Sequence, residues 1–266
     1  MEPFSLYVRL IGAQLRGQMQ YKVSFLLSLL GSFLINLIEF GVILVIFTRI
    51  PLLVGWSLPE TALLYGLAGT SFAMAELVAS ALDNFQVHIV QGTFDRVLVR
   101  PRGALFLAIS EDFALRRMGR VGQGVLVLVF ALQALPISWT LDRVVVLAIA
   151  LASGTAIFFS IFVLGAAFCF WTVQGKEATH VLTYGGDALA QYPLDIYQGV
   201  VRRFFTFVIP IAFVSYEPAL YLLDRSDPFG LPEFTRLLSP LAALVMSVVA
   251  YLGWQQGVRH YQSAGS

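Results

Sequence analysis

Charged side chains are scarce in this chain: they make up 12% of its 266 residues, against roughly 25% in an ordinary globular domain. So few charges cannot clothe a water-soluble surface. Net charge is only +1, which removes any bulk electrostatic case for nucleic acid, so each Lys and Arg has to be read by position. The single cysteine, Cys169, lies in an apolar run and excludes an intrachain disulfide. Histidine is as sparse: His88, His180 and His260 are far apart. Glu177 and His180 share the i,i+3 spacing of a di-iron half-site, but the second pair and two further Glu are missing. No GxxxxGK[ST] phosphate loop, HExxH zinc helix or GxSxG elbow occurs. The chain therefore carries no catalytic, metal or cofactor motif of its own.

What is present in quantity is apolar sequence, 58% of residues, with a mean hydropathy of +0.79. A helix needs about 20 predominantly apolar residues to cross a bilayer core. Runs of that kind predict an all-α integral membrane protein with spans at about 23–48, 61–82, 121–141, 144–171, 204–223 and 237–258. The fifth is interrupted by Pro210 and Pro218, so it reads as a broken span with a possible re-entrant part. Residues 172–203 read as a polar segment outside the membrane. Residues 1–22, with Phe4, Tyr7, Val8, Ile11 and Leu15 at helical spacing, form an amphipathic interfacial helix. Residues 259–266 make a short tail. With six spans, 13 Lys and Arg fall on the side of the termini and 4 on the other. The positive-inside rule then makes both termini cytoplasmic.

Acidic residues inside apolar spans are expensive and mark a bundle interior or an aqueous cavity. Glu39, with Asn36 one turn before it, Glu76 and Glu217 are the translocation-path candidates. Glu39 and Glu76 also admit an ion- or proton-coupled carrier, and interhelical hydrogen bonding would serve as plain structure.

The remaining feature is residues 91–103, QGTFDRVLVRPRG, between the second and third spans. Val90, Phe94, Val97 and Leu98 give one short helix an apolar face, with Asp95, Arg96 and Arg100 beside it. Gly92 weakens its continuity and Pro101 ends it. So short a helix is marginal alone and must pack on its own bundle, on lipid or on a partner.

That loop, the stretch LAQYPLDIYQGVVRRFFTFVIPIAFVSYEPALYLL and the C-terminal GVRHYQSAGS resemble the permease subunits of ABC type-2 transporters, in the small six-span bacterial branch. The resemblance implies a type V exporter fold: a non-catalytic permease in the bacterial plasma membrane, paired with a second permease that is the same chain or a paralogue. ATP and Mg would be bound by a separate cytoplasmic ATPase. Val90, Gln91, Gly92, Thr93, Phe94, Asp95, Arg96, Leu98, Arg100 and Pro101 would form the coupling helix. Phe94 and Leu98 would be its apolar contacts. The cargo implied is an amphipathic or lipophilic compound.

Overall fold

A computed structural model of the chain describes residues 3–172, 175–197, 199–228 and 230–262, and among them every regular element is a helix. The longer helices are α1 (Pro3–Met19), α2 (Lys22–Arg49), α3 (Leu58–Val78), α4 (Met118–Ala134), α5 (Leu141–Phe168), α6 (Gly175–Ala190), α7 (Tyr216–Leu222) and α8 (Ser239–His260). Four of them, α2, α3, α5 and α8, are long and apolar enough to cross a membrane.

α3 is the axis of the bundle, buried along most of its length. Its start is fixed locally: the Ser57 N–H donates to the Glu60 carboxylate at 2.7 Å, and Pro59 stands in the first turn where its missing N–H costs nothing. α4 comes very close to it. A β-carbon on Gly66 would lie 2.7 Å from Leu128 Cα, and one on Gly124 would lie 2.8 Å from Thr70 Oγ1. Small residues at such crossings let two helices pack backbone to backbone where lipid supplies no hydrophobic drive.

The third span differs from its sequence reading. Its helix starts at Met118 and stops at Ala134, because Leu135 precedes Pro136 and takes an extended conformation. Its 17 residues rise about 25 Å. The tail expected at residues 259–266 also changes, since the helix runs to His260 and residues 263–266 lie outside the described residues. α1 forms, with Ile11 and Leu15 half-buried, while the side chains of Phe4, Tyr7 and Val8 lie outside the described set. It is held by glutamines: the Gln14 amide donates to the Ser110 and Glu111 carbonyls at 2.9 and 3.0 Å, and Gln18 donates to Phe113 O at 2.6 Å.

The larger correction concerns residues 172–223. α6 lies along α5 in the opposite direction, with Thr179 against Gly165 and Gly186 against Phe158. Beyond it the chain reaches Asp195, whose carboxylate accepts from Trp56 Nε1 at 2.9 Å. Trp56 belongs to the connection before α3, at the end of the bundle opposite to where α5 finishes. The polar segment thus runs from one end of the bundle toward the other. The apolar run at residues 204–223 is carried by two helical stretches, a break that fits either a broken span or a re-entrant segment. Gly199–Val208 and Ile211–Leu222 are bent by 71°, and Pro210, which has no N–H to give, sits at the bend. Ile211 packs against Gly186 and Val214 against Gly154. From that depth α7 returns until the Tyr221 hydroxyl donates to Asp142 at 3.0 Å and Asp224 pairs with Arg143, at the start of α5. This segment enters and leaves by the same end.

Because the space at Gly66 is closed by backbone, Gly66→Ala should destabilise the full-length protein by about 1–3 kcal/mol. Gly31→Ala, which meets nothing within 4 Å, should not. Thermal unfolding midpoints in detergent compare the two.

Candidate functional site

Where α3, α4 and α6 meet, five charged groups form one buried network. α3 supplies Glu76, and the turn Ser80–Asp83 that follows it supplies Asp83. Arg117 precedes the first turn of α4 and Arg120 lies within it. α6 supplies Asp187. Arg117 reaches Glu76 at 3.2 Å and Asp83 at 3.3 Å. Arg120 reaches Glu76 at 3.4 Å and Asp187 at 2.6 Å, and its guanidinium lies 4.4 Å over the Phe72 ring. Tyr184 places its hydroxyl 3.0 Å from both Glu76 Oε1 and Asp83 Oδ2, and Gln191 donates to Asp187 at 3.0 Å. His180 Nε2 stands 3.4 Å from Asp83. No charge here depends on a single partner, which is the condition for ions to persist away from water.

This network forms one wall of a cavity of about 720 Å³ that α2 closes on the other side. Three of the four path candidates line it: Asn36, Glu39 and Glu76. They differ in state. Glu76 is buried and clamped. Asn36 is buried, donating to Ser32 O at 2.7 Å, while its own carbonyl accepts from Tyr65 OH at 3.0 Å. Glu39 is exposed on α2 and makes no ion pair or hydrogen bond with a described residue. The fourth candidate, Glu217, is elsewhere: it is 0% exposed in α7, with neither carboxylate oxygen hydrogen-bonded, and does not reach the cavity.

Sequence reasoning missed Arg117, Arg120, Tyr184 and Asp187. A signal was there. Thr179, Thr183 and Asp187 of α6 and Gln191 just past its end recur every four residues and all four are buried, the mark of a polar stripe facing a protein interior instead of water.

The loop after α3 also departs from expectation. Residues 85–98 do not form one helix: Phe85–Val90 and Asp95–Leu98 are separated by a turn in which Gly92 takes φ +65°. The turn swings Phe94 inward. Phe94 is 0% exposed, its ring 5.3 Å from Phe85, 5.2 Å from Phe170 and 5.2 Å from Tyr261, with Trp254 beside them. It cannot be an outward anchor, because this aromatic box of the protein's own rings encloses it. Thr93 is tied in as well, its hydroxyl 3.0 Å from His88 Nδ1. Asp95 faces the same box: burial among the rings, with the Asp95 carboxylate beside it, pushes the Tyr261 phenol above its ordinary range. What remains outward is a tip of Val90, Gln91, Arg96, Leu98, Val99, Arg100 and Pro101, with Val99 84% exposed.

Residues 33–265 match the sequence model of a family described as ABC-2 family transporter protein. The chain belongs to that family. No curated protein and no solved structure matches it. It is an ABC transporter permease, a multi-pass transmembrane protein of a family whose members generally work with a separate ATPase.

In this permease the network has a measurable worth. Removing one member of a buried ion set leaves the rest unpaired and costs roughly 3–5 kcal/mol, while replacing a pair with apolar groups can be neutral. Arg120→Met should therefore lower stability by about that amount, and adding Asp187→Leu should restore a large part of it. Thermal unfolding of the two single variants and the double variant forms the cycle; additive losses would mean that the two residues do not interact.

Proposed function

We propose that the chain is the membrane subunit of a type V ABC exporter, working as a pair of permeases with a separate cytoplasmic ATPase that binds ATP and Mg. The cargo is an amphipathic or lipophilic compound that enters the cavity between α2 and α6. In this reading α2, α3, α4, α5, α6 and α8 are the six crossings, and Gly199–Leu222 is a re-entrant segment on the outer side. α6, short of purely apolar surface, crosses because its polar stripe is met by Arg120 and the network behind it. Arg202, which reaches Asp195 at 3.5 Å, then lies outside with Arg203. The charge balance of 13 against 4 becomes 11 against 6, still in favour of cytoplasmic termini.

The observation that carries the coupling role is the tip of the loop. An exposed apolar pair, Leu98 and Val99, flanked by Arg96 and Arg100, projects from a base that Phe94 locks to Phe170 after α5 and Trp254 in α8. A push on the tip passes into two spans through packed rings and not through a flexible loop. Interfaces of this kind use buried apolar anchors for affinity and rim charges for orientation and association rate. Leu98 and Val99 are the anchors, Arg96 and Arg100 the rim, and Gly92 and Pro101 set the turn.

The experiment is co-purification of the ATPase with variants of the permease. Val99→Asp should keep normal permease abundance and reduce the ATPase retained by about tenfold or more, as loss of a 2 kcal/mol anchor would. Phe94→Ala should instead cost about 3–5 kcal/mol of permease stability, the range for an aromatic removed from a core. Full ATPase retention by Val99→Asp would remove the tip from the interface.

A further inference from the structure

The cavity between α2 and α6 has an unbalanced end. Its walls carry three acids, Glu39, Glu76 and Asp187, and three bases, Arg116, Arg117 and Arg120. Most are already answered: Arg117 by Glu76 and Asp83, Arg120 by Glu76 and Asp187. Two are not. Glu39 and Arg116 make no ion pair with a described residue, and they stand far apart. Gly119, three residues after Arg116, packs against the carbonyl of Leu29; Glu39 lies ten residues beyond Leu29 on the same helix, a rise of about 15 Å. Arg116 thus marks one end of the cavity and Glu39 the other.

Around Glu39 the remaining chemistry is of one kind. Asp187, 3% exposed, spends one carboxylate oxygen on Arg120 and Gln191 and leaves the other, Oδ1, without a partner. Tyr192 and the amide of Gln191 line the same end, and Tyr192 and Tyr65 both lie within electrostatic reach of Glu39. Arg120, the base within that reach, is held between two other carboxylates. A Glu with no ion partner among the described residues, on an apolar span beside an aromatic ring and the unpartnered Asp187 Oδ1, lacks only a cation. Carboxylate plus aromatic face is the recognition chemistry of organic ammonium and phosphonium groups, whereas a small hydrated metal ion would ask for a cage of oxygens.

We propose that the Glu39 end of this cavity binds a lipophilic organic cation, with Glu39 opposite its charge and Tyr192 against its body. This deepens the exporter reading and rests on it, but it concerns only the sign and character of the cargo.

The test uses the full-length permease in nanodiscs and two probes of nearly equal shape and opposite charge, tetraphenylphosphonium and tetraphenylborate. Equilibrium dialysis should give one saturable tetraphenylphosphonium site per chain, weakened at least tenfold in Glu39→Gln, recovered in part in Glu39→Asp, and weakened severalfold in Tyr192→Leu. Tetraphenylborate should show only the non-saturable uptake of the lipid, equal in all variants. Glu39 is exposed, so its variants should remain monodisperse, which gel filtration checks. No saturable phosphonium binding, equal binding in Glu39→Gln, or saturable borate binding would each overturn the proposal. ATPase retention, measured on the same preparations, reports separately on the exporter reading, so that a permease that keeps its ATPase but binds no cation loses only this inference.

Discussion

A membrane helix can carry charge in its middle only if another helix brings the opposite charge to the same depth. Arg120 does this twice over, pairing with Glu76 of α3 and Asp187 of α6. Much else follows from that junction. α3 can be the buried axis although it carries Glu76, α4 can be short because it is pinned at its start as well as along its glycine crossing, and α6 can run beside α5 although it buries Thr179, Thr183 and Asp187. Without Arg120, Asp187 would lose its only ion-pair partner among the described residues.

The second constraint is aromatic. The box of Phe85, Phe94, Phe170, Trp254 and Tyr261 joins the loop after α3 to the ends of α5 and α8. Ring pairs of this geometry are directional as well as apolar, so they fix the angle of the loop and not merely its proximity. Asp83 of the ionic junction and Phe85 of the aromatic box stand two residues apart in the stretch after α3, which joins the loop tip and the cavity wall through one short piece of chain. Such continuity is what a lever between a motor and a transport path requires.

How much of this was legible in the sequence follows from which physical signal each element carries. α2, α5 and α8 declare themselves by long apolar runs, and α3 by a run opened by Ser57 and Glu60. α6 does not, because its apolar content is diluted by the buried stripe of Thr179, Thr183, Asp187 and Gln191; read by hydropathy it looks like a solvated segment, and only the four-residue period marks it as an interior face. Residues 204–223 show the opposite pattern: their apolar side chains suggest a crossing, while Pro210 and the contacts of Ile211 and Val214 bend the chain by 71°. The spacing of Phe94 from Val90 and Leu98 suits one outward helix face, but Gly92 at φ +65° breaks that helix. Asn36, Glu39 and Glu76 were legible as polar residues in apolar runs. That they share a cavity, and that Glu217 does not, depends on tertiary packing that no local pattern encodes.

The central claim is that α6 crosses the membrane, and it is tested most directly by sided thiol labelling at its two ends. Cys169 is the sole cysteine and is buried, so Cys169→Ala gives a blank background. Glu177→Cys and Gly199→Cys place single thiols at exposed positions in the first turn of the helix and beyond its end, the latter in open space. With a membrane-impermeant maleimide on intact cells and on inverted vesicles, the account predicts labelling of position 199 from outside and of position 177 only from inside. Labelling of both positions from the same side would contradict it.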